Sequence, residues 1–545
     1  MIRKEKIILF LILLLALGVR LVNVGSHPTF ISDEASIGYN AWSILKTGKD
    51  EWGNFLPLSF KAFGEYKLPV YIYLTVPFVW ILGLSEMAVR LPSVIFGSLT
   101  VLLVWFLVKE LLENKRSLKE KGYLLPFLAA FLLAISPWHI QTSRMALEAN
   151  LALFLLILAA FLFLKGLKNE KYFYLSFFLF GLSFYTYNTC RVFTPGLLIG
   201  WLFLMRGKIK NFKNLMLPGL IIILVLLSLL ITGFRGTGER LAKVGIFSDP
   251  GIKATINERR GACLENRSEV VCRIFYNRPI FYSLNFLANW LSHYSPKFLF
   301  LKGAGLAQYG VPNRGVTYLF ELPLIILGIF WLFQKERSFF WLLVWWILIS
   351  PIANSFTGPA HPVRAVFLLL AAPILSAGGV TFVWERIKKQ KIKTGFLLGI
   401  LLISFLSFRR FLIDYFLFYP QAHTSTWQAG YRPLYQKLAL LEKNYDEILV
   451  TKFYGEPHIF YLFYRQYNPE SCQKGIEVIR YDREDKWVNV DRIGKYYFIE
   501  RINPENLKKG QLIAISPQEF NFKLYILDEV KYPNGKTAFL IGEAE

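Results

Sequence analysis

Charge is scarce in this sequence. Only 18% of its 545 residues are Asp, Glu, Lys or Arg, against 54% hydrophobic residues, a balance that excludes an ordinary water-soluble protein and describes a polytopic membrane protein. Histidine and cysteine are rarer still, at 6 and 4 residues. No paired C-x-x-C and no H-E-x-x-H occurs, so the common zinc sites are excluded, and neither a P-loop nor G-x-G-x-x-G is present to cradle a nucleotide. The apolar runs contain almost no ionisable residues, with Glu321, Arg409, Arg410 and Asp414 near their ends. An ion-coupled transporter needs carboxylates or histidines at mid-membrane depth, so their scarcity argues against one.

What charge there is has one sign. The formal net charge is +24, but the basic residues cluster at 109–121, 165–171, 206–213, 335–337 and 386–393, between apolar runs. That is the pattern of cytoplasmic membrane loops rather than of a nucleic-acid face. The first run, 7–24, follows a basic 1–6 and lacks a small-residue cleavage site, so it reads as an uncleaved first helix. Further spans are expected at 88–112, 123–138, 147–167, 172–187, 193–205, 215–231, 318–333, 339–351, 363–384 and 395–418. All five basic clusters share the side of the N-terminus only if 68–84, interrupted by Pro69 and Pro77, lies in the outer leaflet without crossing.

The expected fold is therefore a mainly α polytopic membrane protein of about eleven to thirteen transmembrane helices. Residues 1–419 form the membrane domain, with outer loops 25–87 and 232–317, and 420–545 form a small extracytoplasmic α/β domain. In that domain 431–443 reads as a helix and 447–452, 495–500 and 511–516 as strands. The runs 522–532 and 537–543 flank Pro533-Asn534-Gly535-Lys536, a hairpin turn. Cys263 and Cys272 share one polar loop and can pair if it faces an oxidising space.

Most polar features that remain fall in the outer segments. The stretch FISDEASIGYNAW, residues 30–42, carries the adjacent carboxylates Asp33 and Glu34. Two anions at a membrane surface repel unless a cation, a metal or a proton shares the site. A structural reading of the same residues is a helix start, with Ser32 as cap and the acids favoured by the helix dipole. Beyond them come Glu65-Tyr66-Lys67, Arg90, Arg144 spaced i, i+4 from Glu148, then Arg191, His361 and Arg364. Single cations recur where outer segments meet apolar helices, a ring suited to a phosphate whose lipid tail lies between the helices. Near such a ring, a carboxylate can take the proton of an acceptor hydroxyl while the departing phosphate needs only charge neutralisation.

The runs DEASIGYNAWSILKTG, FGEYKLPVYIYL, SEMAVRLPSVIFGSLTVLLVWFLVKEL and SPWHIQTSRMALEANLALF resemble the N-terminal module of glycosyltransferase family 39. That group has the GT-C fold and includes protein O-mannosyltransferases and the aminoarabinose transferases of lipid A. The resemblance implies a membrane glycosyltransferase with a polyprenyl-phosphate-linked sugar donor, inversion at the anomeric carbon and an active site on the outer face of the cell membrane. It makes Asp33 the general base and Glu34 its orienting partner or a ligand of acceptor or metal. Glu65 and Lys67 fall where aminoarabinose transferases carry an adjacent glutamate and lysine. Here Tyr66 separates them, and Glu65 is the candidate metal ligand. Arg90 is assigned to site electrostatics, and Lys67, Arg144, Arg191, His361 and Arg364 to donor phosphate or acceptor. The acceptor is a lipid, a glycan or a protein, and isolated carboxylates fit either a hard divalent ion or none. The competing classes are a flippase or transporter of lipid-linked saccharides, and a non-catalytic anchoring protein.

Overall fold

The computed structural model describes residues 3–112, 124–231, 245–424, 428–484, 487–503, 505, 507–520 and 522–544. Residues 113–121 of the first basic cluster and 232–244 of the large outer loop lie outside them. Helix accounts for 63% of the structure. Among the described residues, six helices are long and apolar enough to cross a membrane: Glu86–Leu112, Glu148–Gly166, Lys213–Ile231, Arg337–Ser355, Val366–Arg386 and Gln390–Ala422. Leu124–Ile135 and Pro137–Ser143, bent by 59°, make a seventh if taken as one span. The bend falls at Ser136, as expected of a residue that proline pushes out of the α region.

Fewer spans pass by length and composition than hydropathy leads one to expect. The other predicted stretches are helical as well: the first, Arg3–Leu21, has 19 residues with charged residues at both ends, and Lys171–Ser183, Cys190–Met205 and Glu321–Lys335 have 13, 16 and 15, against the ~20 of a full crossing. Pro69–Leu82 is an apolar helix of 14 residues, the length of an interfacial or partial span. Lys213–Ile231 and Gln390–Ile413 leave Ile223, Leu224, Leu227, Leu398, Leu402 and Phe405 exposed. Rows of exposed aliphatic and aromatic side chains on helices this apolar need lipid around them.

The chain forms two compact units that do not follow chain order. The first comprises Met1–Leu17, Phe96–Thr142 and Ala149–Phe408. Its helix Glu321–Lys335 packs on Ala371–Arg386 by close backbone approach: a Cβ on Gly328 would stand 1.8 Å from the Leu375 carbonyl oxygen, so only glycine fits there. Cys263 and Cys272, ending and inside the helices Pro250–Leu264 and Glu269–Phe275, form a disulfide.

The second unit comprises Gly18–Ile95, Ser143–Glu148 and Arg409–Glu545. Strands β1 (Phe60–Ala62) and β2 (Glu65–Lys67) make a small antiparallel hairpin. A seven-stranded mixed sheet contains β3 (Ile448–Thr451), β4 (Val478–Asp482), β5 (Val488–Ile493), β6 (Tyr496–Ile499), β7 (Leu512–Ile515), β8 (Leu524–Lys531) and β9 (Thr537–Ala544). Its order is β4-β5-β6-β3-β7-β9-β8, with β3 parallel to both neighbours. The expected helix Tyr431–Leu441, strands β3, β6 and β7, and the β8–β9 hairpin are all present.

In the C-terminal region, strands β4 and β5 and helices Pro457–Tyr464 and Pro469–Lys474 escaped the sequence reading. Edge strand β4 has no fully buried residue and so no clean alternation. Helix Pro457–Tyr464 is buried from Pro457 through Phe463, so its sequence is apolar all round and shows no helical period. The helix Ser32–Thr47 packs on it across Gly38, where a Cβ would lie 2.5 Å from the Phe463 ring.

Candidate active site

The helix Ser32–Thr47 starts one residue earlier than expected: Ile31, not Ser32, is the N-cap, in extended conformation. The Ile31 N–H donates to Glu34 Oε2 at 3.3 Å, the N3 half of a capping box, while the Ser32 N–H donates to Gln428 Oε1 at 3.0 Å. Successive residues on a helix point about 100° apart. Asp33 and Glu34 therefore face different surroundings.

Glu34 points inward and is fully buried, as is Arg90. Arg90 Nε and Nη2 donate to Glu34 Oε1 and Oε2 at 2.7 and 2.6 Å, a fork-to-fork ion pair. The Ala146 N–H donates to Oε1 at 2.8 Å. The rest of the Arg90 guanidinium donates to the carbonyls of Val24, Pro28 and Thr29 at 2.9, 2.6 and 3.1 Å. This pair ties together the loop after the first helix, the helix Ser32–Thr47, the first turns of Glu86–Leu112 and the segment before Glu148.

Arg144 does a similar job with neutral partners. It precedes the helix Glu148–Gly166, so the i, i+4 pairing with Glu148 expected from spacing does not form. Its Nη atoms donate to the carbonyls of Val19, Arg20, Val22 and His27 at 2.7 to 3.1 Å, and Nε to the Tyr415 hydroxyl at 3.3 Å. All five donors of the guanidinium are thereby engaged. Burial, and then the charges of Arg144 and Arg90, push His27 down to about 3, so it is neutral at physiological pH.

Asp33 faces outward with 42% of its side chain exposed, and its Oδ1 accepts from Lys67 Nζ at 2.6 Å. Lys67 is the buried partner, at 5% exposed. It arrives on β2, where residues i and i+2 share a face, so the intervening Tyr66 sets Glu65 and Lys67 side by side. Burial disfavours the Lys67 ammonium, but the charges of Asp33, Glu148 and Glu65 outweigh it and hold its pKa above the usual lysine range. Three carboxylates thus act on the charge of one buried cation, and Asp33 is the one that bonds it. Glu148 is the member that sequence reasoning missed as a site residue. Its signal was a lone acid at the mouth of an otherwise apolar helix, and the spacing rule assigned it to Arg144 instead.

The hairpin that delivers Lys67 is itself held. The Val488 N–H donates to the Phe63 carbonyl, and Lys61 pairs with Asp482 at 2.7 Å. Trp487 covers Gly64 so closely that a Cβ there would lie 2.3 Å from its ring. Arg191, His361 and Arg364 belong to the other compact unit. There Arg191 Nε donates to the Phe184 carbonyl at 3.2 Å, His361 Nδ1 accepts from the N–H of Val363 and of Arg364, and Arg364 Nη1 donates to Thr357 at 3.2 Å. Among the described residues, Glu65 included, no group of three or more His, Cys, Asp or Glu side chains is placed to hold a metal ion.

Among the described residues, six apolar helices of membrane-spanning length and a C-terminal sheet, with Asp33 paired to Lys67 after the first helix, describe a membrane protein that shares its fold with solved membrane-protein structures. The particular similarities are these. Residues 67–231 match the family described as dolichyl-phosphate-mannose-protein mannosyltransferase. ArnT from Cupriavidus metallidurans in the apo state superposes with a TM-score of 0.52 at 11% identity, over 98% of this chain and 97% of that one. The same enzyme bound to undecaprenyl phosphate gives 0.52 at 10% identity, over 98% of each. The oligosaccharyltransferase AglB from Archaeoglobus fulgidus, in complex with an inhibitory peptide and a dolichol-phosphate, gives 0.50 at 14% identity, over 86% of this chain and 64% of that one. The chain therefore spans less than two thirds of the archaeal enzyme. No curated protein is a significant match.

Proposed function

We propose that this protein is a membrane glycosyltransferase that moves a sugar from a polyprenyl-phosphate donor to an acceptor hydroxyl, with Asp33 as general base. The observation that carries the reading is the division of labour between the adjacent acids. Glu34 is sealed against Arg90, whereas Asp33 stays half exposed on a buried lysine. In the reaction the acceptor O–H gives its proton to the Asp33 carboxylate as the acceptor oxygen bonds to the anomeric carbon. The bond from that carbon to the phosphate oxygen breaks, and its electron pair leaves with the polyprenyl phosphate. Lys67, kept charged by its three acidic neighbours, neutralises the phosphate as it departs. Attack opposite to departure inverts the anomeric carbon.

The polyprenyl phosphates in the ArnT and AglB structures support this donor class. The Cys263–Cys272 disulfide supports placing that loop on an oxidising, extracytoplasmic face of the cell membrane, and the active site and C-terminal sheet are assigned to the same face by the topology read from the basic clusters. Glu34, Arg90 and Arg144 are assigned to holding the site's backbone, and Glu65 and Glu148 to keeping Lys67 charged. Arg191, His361 and Arg364 are assigned to donor or acceptor contacts.

The test is transfer by Asp33→Asn in membranes supplied with a radiolabelled polyprenyl-phosphate sugar, with the glycans of a deletion strain identifying the acceptor. Loss of transfer by at least about a hundred-fold with normal insertion is expected. Transfer comparable to the wild type removes Asp33 as base, and lipid-linked sugar translocated without a new glycosidic bond favours the flippase.

A further inference from the structure

The segment 232–317, expected as an outer loop, contains the helix Arg278–Ser292, which lies within the first compact unit. Asn277 caps it by accepting the Ile280 N–H at 2.9 Å, and Pro279 stands in its first turn, both features of a helix start. Its packed face is Tyr282, Phe286, Asn289 and His293. Tyr282 donates to the Phe247 carbonyl at 3.4 Å, the Phe286 ring lies 4.7 Å from that of Phe356, Asn289 donates to the Ser355 carbonyl at 3.1 Å, and His293 is buried.

Two positions before each of these, and so about 200° round the helix, come Ile280, Leu284, Leu287 and Leu291, which are 36 to 56% exposed. Spaced i, i+4, i+7 and i+11, they form one apolar row roughly 16 Å long at 1.5 Å per residue. A helix face turned to water is polar. A second apolar row, opposite the packed one, therefore calls for an apolar neighbour.

The end of the helix identifies that neighbour. Pro351 has no N–H to return to the carbonyl four residues before it. The Tyr294 hydroxyl donates to that carbonyl, of Ile347, at 2.9 Å, and Trp290 Nε1 donates to the Leu348 carbonyl at 3.0 Å. Trp290 and Tyr294 thus fasten the helix to the end of the span Arg337–Ser355, the depth at which interfacial aromatic residues collect. On that span Trp341 and Leu348 are exposed, so the row that ends at Leu291, beside Trp290, continues a lipid-facing surface. We propose that the helix Arg278–Ser292 lies in the boundary between headgroups and acyl chains of the adjacent leaflet, with Ile280, Leu284, Leu287 and Leu291 against lipid tails. The contact is apolar and needs no particular headgroup charge.

The experiment uses the full-length chain in phosphatidylcholine nanodiscs, spin-labelled after Leu284→Cys or Leu287→Cys. Cys263 and Cys272 are disulfide-bonded, and Cys190 and Cys472 are buried, so the label goes to the introduced thiol. Both substitutions change exposed side chains and leave folding intact. At both positions, collisions of the label with oxygen, which concentrates among acyl chains, should exceed those with a water-soluble nickel chelate, at a depth of about 5–10 Å into the boundary. Collisions dominated by the nickel chelate put the row in water, and a label shielded from both reagents puts a protein surface over it. Either result overturns the proposal.

Discussion

Replacing Glu34 by Gln tests the division of roles between the two adjacent acids most directly. In the wild type, Glu34 accepts four N–H groups, two from Arg90 and one each from Ile31 and Ala146. The substitution turns one acceptor oxygen into a donor. If Oε2 is the atom lost, the bonds from Arg90 Nη2 and Ile31 become donor-to-donor contacts, and Arg90 keeps its buried charge without an ionic partner. A charge-assisted bond contributes about 1.5–3 kcal/mol and a neutral one about 1, so roughly 2.5–4 kcal/mol is lost. This agrees with the ~3–5 kcal/mol cost of breaking a buried ion pair from one side. Against a total stability of ~5–15 kcal/mol, Glu34→Gln therefore gives a protein that unfolds readily in mild detergent. Folded fraction after graded heating, read by size-exclusion chromatography, measures the loss. Hydrogen exchange should quicken first at residues 24–31 and 144–146, whose backbone groups this pair holds. Asp33→Asn removes a half-exposed pair and leaves Glu65 and Glu148 near Lys67, so its cost stays within about 1 kcal/mol. If Asp33→Asn unfolds as readily as Glu34→Gln, or if Glu34→Gln is fully stable yet inactive, the assignment of base and brace is wrong.

Three other outcomes are expected. Lys67→Met removes the cation shared by Asp33, Glu65 and Glu148, and should weaken binding of polyprenyl phosphate at least about ten-fold, measured by lipid competition. Gly64→Val puts a side chain where the Trp487 ring lies, so it should displace the hairpin and reduce transfer far more than it lowers thermal stability. Burial pushes Glu51 from its ordinary 4.5 up to about 7, with nearby Arg480 offsetting only part of the effect. The folded state then binds this proton more tightly than the unfolded chain does. The stability this group contributes is therefore full below about pH 4.5 and is lost as pH rises to about 7, by something on the order of 3 kcal/mol. Glu51→Gln should remove this falling component, so that the variant gains stability relative to the wild type as pH rises from 5 to 7, and a difference in thermal stability that does not change across that window contradicts the argument.

The membrane class, the helices over the apolar runs and the β8–β9 hairpin were all legible from composition and local pattern. These are sums over neighbouring residues: hydropathy over ~20 positions, alternation over four to eight, one turn at Pro-Asn-Gly. The same local geometry already required Asp33 and Glu34 to point apart, since consecutive helical side chains cannot share a face. Which acid turned inward was decided only by the tertiary structure, because it depended on Arg90 and the Ala146 N–H arriving from 56 and 112 positions away. For the same reason Arg144 met backbone carbonyls instead of Glu148, and Glu148 met the field of Lys67. A charge's partner is fixed by distance in space, and burial sets what that partner is worth. Neither can be read from spacing along the chain.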